Sequence, residues 1–245
     1  MLLRRGLDPR LARRDVPFPA DLDGPRADAI AERLGHYAFR LFLRGAILAA
    51  GPFRPQDATR YVTAPRARAM AEDLVALGLA APVDADRLRF LHPARNFGGT
   101  LEWWVGRELR RLGFDVATGV RSGAAGVGGD LDVVAAAEGK LVYVELKSSP
   151  PKHLTDREVA AFLRRVRSLR PQVAIFAVDT ALRLSDKVLP LVRAAVPGTD
   201  PPRRLLRDTW QLAPSLYVAS AKQDLIDNLR AAIADAFLAL GPALA

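Results

Sequence analysis

The stretch from residue 130 to residue 147, DLDVVAAAEGKLVYVELK, constrains the fold more than any other part of the chain. Apolar and polar residues alternate before and after Glu138-Gly139, which predicts two antiparallel strands joined by a two-residue turn. That turn sets the register so that Asp132 faces Glu145 across the strands. Two carboxylates in this position lie roughly 5 Å apart and repel each other. We therefore expect a cation between them, and a divalent metal ion is the first candidate.

Two alternatives to a metal site follow from the same stretch. A three-residue turn would shift one strand by one residue and place the two acids on opposite faces of the sheet. With the two-residue turn, Asp130 faces Lys147, and a surface ion pair there would leave Asp132 and Glu145 merely solvated. The arms are otherwise rich in Val, Leu and Ala, which indicates a buried sheet and favours the metal site.

Composition limits the class of protein. The chain has 245 residues, half of them hydrophobic, which is enough for one large domain or two small ones. It contains no run of about 18 apolar residues, so we expect no transmembrane helix, and residues 1–7 lack the apolar segment of a signal peptide. The sequence has no cysteine, which excludes disulfides, thiolate zinc sites and a cysteine nucleophile. His36, His92 and His153 are too scattered to predict a histidine metal site. A cytoplasmic protein is the expectation.

Charge predicts a polyanionic partner. The 36 Lys and Arg residues outnumber the 27 Asp and Glu residues and give a net charge of +9, which favours nucleic acid. A chain rich in Ala, Arg, Gly and Pro is also what a GC-rich genome encodes, so the charge alone is weak evidence. Lys and Glu are scarce here, which makes the Glu145-Leu-Lys147 tripeptide more informative, although residues 138–140 repeat its spacing in the turn.

The chain divides into three segments. Residues 1–25 are a basic arm with several prolines, which either follows a phosphate backbone or lies as a strap on the protein surface. Its arginines are Arg4, Arg5, Arg10, Arg13 and Arg14. Residues 26–95 and 96–245 have the patterns of two folded domains.

The segment 26–95 resembles a winged-helix domain. Apolar spacing predicts a helix from Ala27 to Leu48, then a short helix, then a third helix at about residues 64–78, and residues 79–91 read as a small hairpin. In a winged helix the third helix can enter the major groove and the hairpin, or wing, can touch phosphates. The predicted nucleic-acid contacts are Arg66, Arg68, Arg87 and Arg89. Winged helices also serve as protein-docking modules, so this alternative stays open.

The segment 96–245 predicts alternating helices and strands. Thr100 is expected to cap a helix from Leu101 to Leu112. The later elements are strands at residues 114–120, 172–178 and 216–220 and helices at about residues 155–169, 185–195 and 224–240. With the hairpin, this order predicts an α/β fold with a mixed sheet flanked by helices. The glycine-rich loop at residues 122–129 lacks a Gly-Lys-Ser/Thr ending and precedes a strand, so we do not expect it to bind a nucleotide.

A leading helix with an acid, an Asp-bearing strand and Glu-x-Lys on the next strand resemble the PD-(D/E)XK nuclease superfamily. The nearest branches are the restriction-endonuclease-like and archaeal Holliday-junction-resolvase-like nucleases, and the resemblance covers about residues 99–180. The matching pieces are Glu102-Trp-Trp-Val-Gly-Arg-Glu-Leu-Arg-Arg-Leu-Gly-Phe, Asp130-Leu-Asp132-Val-Val and Glu145-Leu-Lys147. Leu131 stands where the motif name has proline. The resemblance implies a restriction-endonuclease-like mixed sheet preceded by a small winged-helix domain.

The activity implied by the resemblance is Mg²⁺- or Mn²⁺-dependent hydrolysis of phosphodiester bonds by an endodeoxyribonuclease acting in repair, recombination or defence. Asp132, Glu145 and the backbone carbonyl of Leu146 are the expected metal ligands. Lys147 is expected to orient a water molecule or to stabilise charge on the phosphate. Glu102 is expected to hold an outer-shell water or a second metal. The other helical acid, Glu108, is the alternative for that role.

The expected partner is DNA, whose backbone would contact a further set of cations. These are Arg121, Lys152, Arg157, Arg164 and Arg165. His153 is close enough in sequence to suggest a base, but we expect a loop residue. A homodimer would suit the cutting of two strands, and a helicase or translocase motor would have to come from another chain. The alternative function is a non-catalytic nucleic-acid-binding protein, or a subunit of a larger complex, that retains the nuclease fold.

Overall fold

The computed structural model describes residues 1–5, 9–12, 15–19, 21–122, 129–196 and 200–241. The chain forms two units, one made of Met1–Ala12 and Val105–Ala245 and the other of Arg13–Trp104. We call them the sheet unit and the helical unit and describe each by itself. Most of the glycine-rich loop, residues 123–128, lies outside the described residues.

Helices and strands alternate along most of the chain. The α-helices of the described ranges are α1 (Gly24–Gly35), α2 (Tyr37–Leu48), α3 (Ala64–Ala76), α4 (Gly98–Arg111), α5 (Asp156–Leu169), α6 (Val188–Ala194) and α7 (Leu225–Ala239). The strands are β1 (Pro9–Leu11), β2 (Ala80–Pro82), β3 (Leu88–Phe90), β4 (Asp115–Ser122), β5 (Asp130–Ala137), β6 (Lys140–Lys147), β7 (Val173–Val178), β8 (Arg203–Arg204), β9 (Thr209–Ala213) and β10 (Leu216–Ser220). Across the described residues, we find no helix with the length and apolarity needed to span a membrane.

The sheet unit contains one eight-stranded sheet in the order β1-β4-β5-β6-β7-β10-β9-β8. The pairs β6–β7 and β7–β10 are parallel, and the other neighbouring pairs are antiparallel. Every residue of β7 is buried, as expected for a central strand with parallel neighbours on both sides. The predicted α/β fold with a mixed sheet flanked by helices is therefore confirmed.

The predicted hairpin forms in the predicted register. β5 and β6 pair antiparallel, with Val133 opposite Val144. Glu138 and Gly139 connect the strands and have φ values of 50° and 72°, the positive values that a two-residue type I′ turn requires at both central positions. The three-residue turn is thereby excluded, and the next residues outward along the two strands are the two acids.

Helix α5 packs on the sheet through aromatic side chains. Phe162 is fully buried, and its ring centroid lies 5.7 Å from that of Tyr143 in β6 and 5.2 Å from that of Phe176 in β7. The start of α5 is fixed by a capping box, in which Thr155 and Glu158 satisfy each other's backbone N–H groups. The Oε1 of Glu158 also lies 3.6 Å from the Nζ of Lys147, so this end of the helix lies beside the end of β6.

The strands of the sheet unit were predicted incompletely. The sequence patterns do not predict β1, β8 and β9, because each has at most five residues and lies near a sheet edge. β1 comes from the basic arm, and in its backbone pairing with β4 Arg10 lies opposite Arg121. Arg13 and Arg14 of the arm lie outside the described residues. Arg4 lies in a short 3-10 turn, and the neighbouring Arg5 donates hydrogen bonds to the carbonyls that end α5.

The start of α4 also differs from the prediction. The helix begins at Gly98 instead of Leu101, so Thr100 lies inside it and is not the N-cap. The side chain of Asn96 accepts a hydrogen bond from the N–H of Gly98 at 2.8 Å. Thr100 is buried, and its hydroxyl has no hydrogen-bond partner among the described residues.

The helical unit contains α1, α2 and α3 followed by the β2–β3 hairpin, whose predicted strands pair with Ala80 opposite Phe90. The single helix predicted from Ala27 to Leu48 is instead two helices, because His36 adopts an extended backbone with φ −84° and ψ 116°. The buried guanidinium of Arg40 donates to the carbonyls of Leu34 and Gly35 and so satisfies the end of α1.

Candidate active site

The two acids of the hairpin lie at neighbouring strand ends in the sheet unit. Asp132 is half-buried in β5, and its Oδ2 accepts a hydrogen bond of 2.7 Å from the backbone N–H of Leu146. Glu145 directly precedes Leu146 in β6. The Asp132 carboxylate therefore reaches the backbone beside Glu145, as the predicted register requires.

Glu145 is a buried carboxylate surrounded by donors. Its side chain is 3% exposed. Oε1 accepts from the Nζ of Lys147 at 2.9 Å, whereas Oε2 accepts from the Nη1 of Arg165 at 2.7 Å and from the hydroxyl of Tyr143. Lys147 and Arg165 thus supply positive charge beside Glu145, where we expected a cation because Asp132 and Glu145 repel each other.

Lys147 makes two ion pairs. Besides Glu145, it faces the Oε1 of Glu158 at 3.6 Å. Burial lowers the pKa of the Lys147 ammonium, but the charge and hydrogen bond of Glu145, with the charges of Asp132 and Glu158, raise the pKa overall. The ammonium therefore stays protonated at neutral pH. The surface ion pair between Asp130 and Lys147 does not form.

Asp130 pairs instead with Arg121 of the adjacent strand. The Nε of Arg121 lies 2.8 Å from Oδ1 of Asp130, and the two residues are opposite each other in the β4–β5 ladder. Cross-strand partners of opposite charge attract each other. Arg121, predicted as a phosphate contact, thus has a carboxylate partner at an exposed position.

Two members of the cluster, Tyr143 and Glu158, were not predicted from the sequence. Tyr143 lies two residues before Glu145 on the same strand face, and burial, together with the charges of Glu145 and Asp132, raises its pKa well above the ordinary value. The phenol is therefore a neutral hydrogen-bond donor. Glu158 belongs to the Thr155-x-x-Glu158 capping box, a pattern that the sequence displays and that would have placed this acid at the start of α5.

The candidate metal ligands are oxygen atoms of Asp132, Glu145 and Leu146. No group of three or more His, Cys, Asp or Glu residues suited to a metal occurs within the described part of the chain. Mg²⁺ usually binds through one or two carboxylates and keeps several waters. The two neighbouring carboxylates and one carbonyl therefore fit Mg²⁺ or Mn²⁺, although a bound ion would share Glu145 with Lys147 and Arg165.

The two helical acids lie in different units. Glu102 is half-buried in the part of α4 that belongs to the helical unit. Glu108 belongs to the sheet unit and pairs with Arg111 at 2.7 Å. Burial raises the pKa of Glu108 despite the opposing charge of Arg111.

The predicted phosphate contacts fall into two groups. Six are exposed and make no hydrogen bond or ion pair through their side chains to any residue that the structure describes: Arg66, Arg68, Arg89, Lys152, Arg157 and Arg164. The other three have carboxylate partners, since Arg87 pairs with Asp84 at 2.6 Å, and Arg121 and Arg165 pair as described. His153 is exposed in the 3-10 turn Pro151–His153.

Comparison with known proteins identifies related folds. No protein-family model matches the chain, and no curated protein matches it. The solved structure of protein VC1899 from Vibrio cholerae matches with a TM-score of 0.55 and 18% identity over 96% of this chain and 60% of that one. Can2 from Sulfobacillus thermosulfidooxidans, solved in complex with cyclic tetra-adenylate, matches with a TM-score of 0.54 and 17% identity over 95% of this chain and 59% of that one. The chain thus spans about three fifths of the length of both proteins, and the likeness concerns the fold.

Proposed function

We propose that the protein is a metal-dependent nuclease that hydrolyses phosphodiester bonds in DNA. The observation that supports this most strongly is the cluster of Asp132, Glu145 and Lys147 at the neighbouring ends of β5 and β6. Residues at these positions resemble the PD-(D/E)XK motif, and their side chains are close enough to act on one phosphate. We also propose that this nuclease acts in repair, recombination or defence.

The proposed reaction divides the cluster into metal ligands and a cationic donor. Asp132, Glu145 and the carbonyl of Leu146 would hold Mg²⁺ or Mn²⁺, which would polarise the scissile phosphate and lower the pKa of a water molecule. Lys147 donates hydrogen bonds to the phosphate or to the attacking water and stabilises the developing negative charge.

Exposed cations provide the proposed DNA contacts. Lys152, Arg157 and Arg164 lie on or just before α5 in the sheet unit, and all are exposed. In the helical unit, Arg66 and Arg68 are exposed on α3. We propose that α3 enters the major groove of DNA, as the third helix of a winged-helix domain can. Each phosphate contact adds to the salt dependence of binding.

A substrate panel tests the proposal. The full chain is incubated with labelled duplex, single-stranded, flap and four-way-junction DNA in Mg²⁺ or Mn²⁺, beside Lys147→Ala. Each reaction is repeated with cyclic tetra-adenylate, the ligand in the Can2 structure. Cleavage by the wild type but not by the variant supports the proposed site. Equal cleavage by both proteins rules out Lys147 as part of the active site.

The second candidate is a nucleic-acid-binding protein without turnover, either alone or in a larger complex. One observation favours it, namely that three donors of the protein itself, Tyr143, Lys147 and Arg165, already bind both oxygens of the Glu145 carboxylate. Tight DNA binding without cleavage of any substrate in the panel would support this candidate. Sedimentation of the DNA complex tests whether a homodimer forms, and addition of a helicase or translocase tests whether a motor is required.

A further inference from the structure

We infer that Arg165 is a positioning residue that, with Tyr143, holds Glu145 in the orientation needed for metal binding. The inference rests on the proposed function and deepens it. Arg165 and Tyr143 both donate to Oε2 of Glu145, while Oε1 accepts from Lys147. The Arg165 side chain is only 13% exposed. In this respect it differs from the exposed Arg157 and Arg164 of the same helix.

Helix α5 is built to hold Arg165 in place. Glu158, Phe162 and Arg165 have the spacing i, i+4 and i+7, which places them on one face of the helix. Phe162 is buried against β6 and β7, and Glu158 closes the capping box and also faces Lys147. One helix face therefore supplies a carboxylate to Lys147 and a guanidinium to Glu145, with an aromatic anchor between them.

The two carboxylate oxygens of Glu145 have different hydrogen-bond donors, which suggests a different role for each oxygen. Oε2 already receives two hydrogen bonds, one from a neutral phenol and one from a guanidinium. Oε1 receives one, from the ammonium of Lys147. A metal ion bound at Oε1 would displace only Lys147 from Glu145, so the carboxylate would keep its two other hydrogen bonds and its orientation.

Orientation and charge predict opposite results when Arg165 is removed. If Arg165 acted only through its positive charge, its loss would strengthen the binding of a divalent cation nearby. If Arg165 orients Glu145, its loss weakens metal binding, as happens when groups that orient metal ligands are removed, typically by about 10–100-fold. The sign of the change therefore separates the two roles.

The test measures Mn²⁺ binding to the full chain by electron paramagnetic resonance, without DNA, and cleavage in parallel. The variants are Arg165→Gln, Arg165→Lys and Tyr143→Phe. The matched control is Arg167→Gln, because Arg167 is an exposed arginine of the same helix. Circular dichroism establishes that each variant is folded.

We expect Arg165→Gln to weaken Mn²⁺ binding about 10-fold or more and to slow cleavage by at least the same factor. Arg165→Lys restores part of both, and Arg167→Gln changes neither. Unchanged or tighter Mn²⁺ binding by Arg165→Gln would overturn the positioning role while leaving the proposed function intact. If Arg165→Gln does not fold, unchanged binding by Tyr143→Phe has the same meaning. A wild type that neither binds Mn²⁺ nor cleaves DNA would overturn both proposals.

Discussion

The variant Tyr143→Phe removes one hydroxyl from the centre of the cluster and leaves the ring in place. The phenol donates to a carboxylate that is only 3% exposed, and Tyr143 itself is fully buried, so water cannot easily replace the bond. A hydrogen bond to a charged group contributes about 1.5–3 kcal/mol to stability. Because Lys147 and Arg165 still satisfy Glu145 in the variant, we expect the lower part of this range, about 1.5–2 kcal/mol.

The assay is urea unfolding of the full chain, monitored by circular dichroism. We expect a lower midpoint with an unchanged slope, since the surface exposed on unfolding is the same. Tyr61→Phe is the control, because Tyr61 is 63% exposed and an exposed substitution usually changes stability by less than about 0.5 kcal/mol. A loss by Tyr143→Phe no larger than that of Tyr61→Phe would refute the bond to Glu145.

The same variant has a defined pH dependence. The pKa of Tyr143 is raised in the folded protein by burial and by the charges of Glu145 and Asp132. The unfolded chain loses this proton at about pH 10 while the folded protein retains it, so the stabilising contribution is complete below pH ~10 and is lost as the pH rises further. The difference in stability between wild type and Tyr143→Phe should therefore shrink above about pH 10. A constant difference would contradict the direction of the shift.

Three further predictions concern charged residues. The double variant Arg66→Ala and Arg68→Ala should weaken duplex binding and reduce the magnitude of the slope of log K against log salt by about 2. Cleavage of short substrates should be unchanged. An unchanged dissociation constant would indicate a docking role for the helical unit. Glu145→Gln should weaken Mg²⁺ or Mn²⁺ binding in calorimetry, and unchanged affinity would contradict its assignment as a ligand. Burial raises the pKa of Glu108, so its ionisation costs stability once the pH exceeds its unfolded pKa of about 4. Glu108→Gln should therefore gain thermal stability relative to wild type as the pH rises above about 4, and a relative loss would contradict the burial effect.

The hairpin could be predicted because all of its signals are local. Alternation across β5 and β6 and a turn that tolerates positive φ at Glu138 and Gly139 are sufficient to set the register. The register in turn places Asp132 beside Glu145. The mixed sheet was predictable for a similar reason, because buried strands and amphipathic helices each leave a periodic pattern.

The partners of Glu145 could not be predicted in the same way. Arg165 lies 20 residues further along the chain, and five other Lys and Arg residues between residues 148 and 171 are equally good candidates from sequence alone. Only the packing of Phe162 on the sheet selects which arginine of α5 faces inward. The break at His36 was missed because the apolar spacing continues on both sides of it.

Short edge strands were missed because they depend on their neighbours. β1 has three residues, begins with proline and forms only by pairing with β4. A proline at the first position of a strand is compatible with a sheet edge, but such a segment has no alternation long enough to predict a strand. The sequence therefore predicted a basic arm and not the outermost strand of the sheet.

The most direct test of the proposed nuclease is single-turnover cleavage of the best substrate by wild type, Lys147→Ala and the control Lys222→Ala, with Mn²⁺ added or removed by chelation. We expect chelation and Lys147→Ala each to abolish cleavage and Lys222→Ala to cleave like wild type. DNA binding by Lys147→Ala should stay within a few-fold of wild type. Cleavage that survives both chelation and the loss of Lys147 would contradict the assignment of the site.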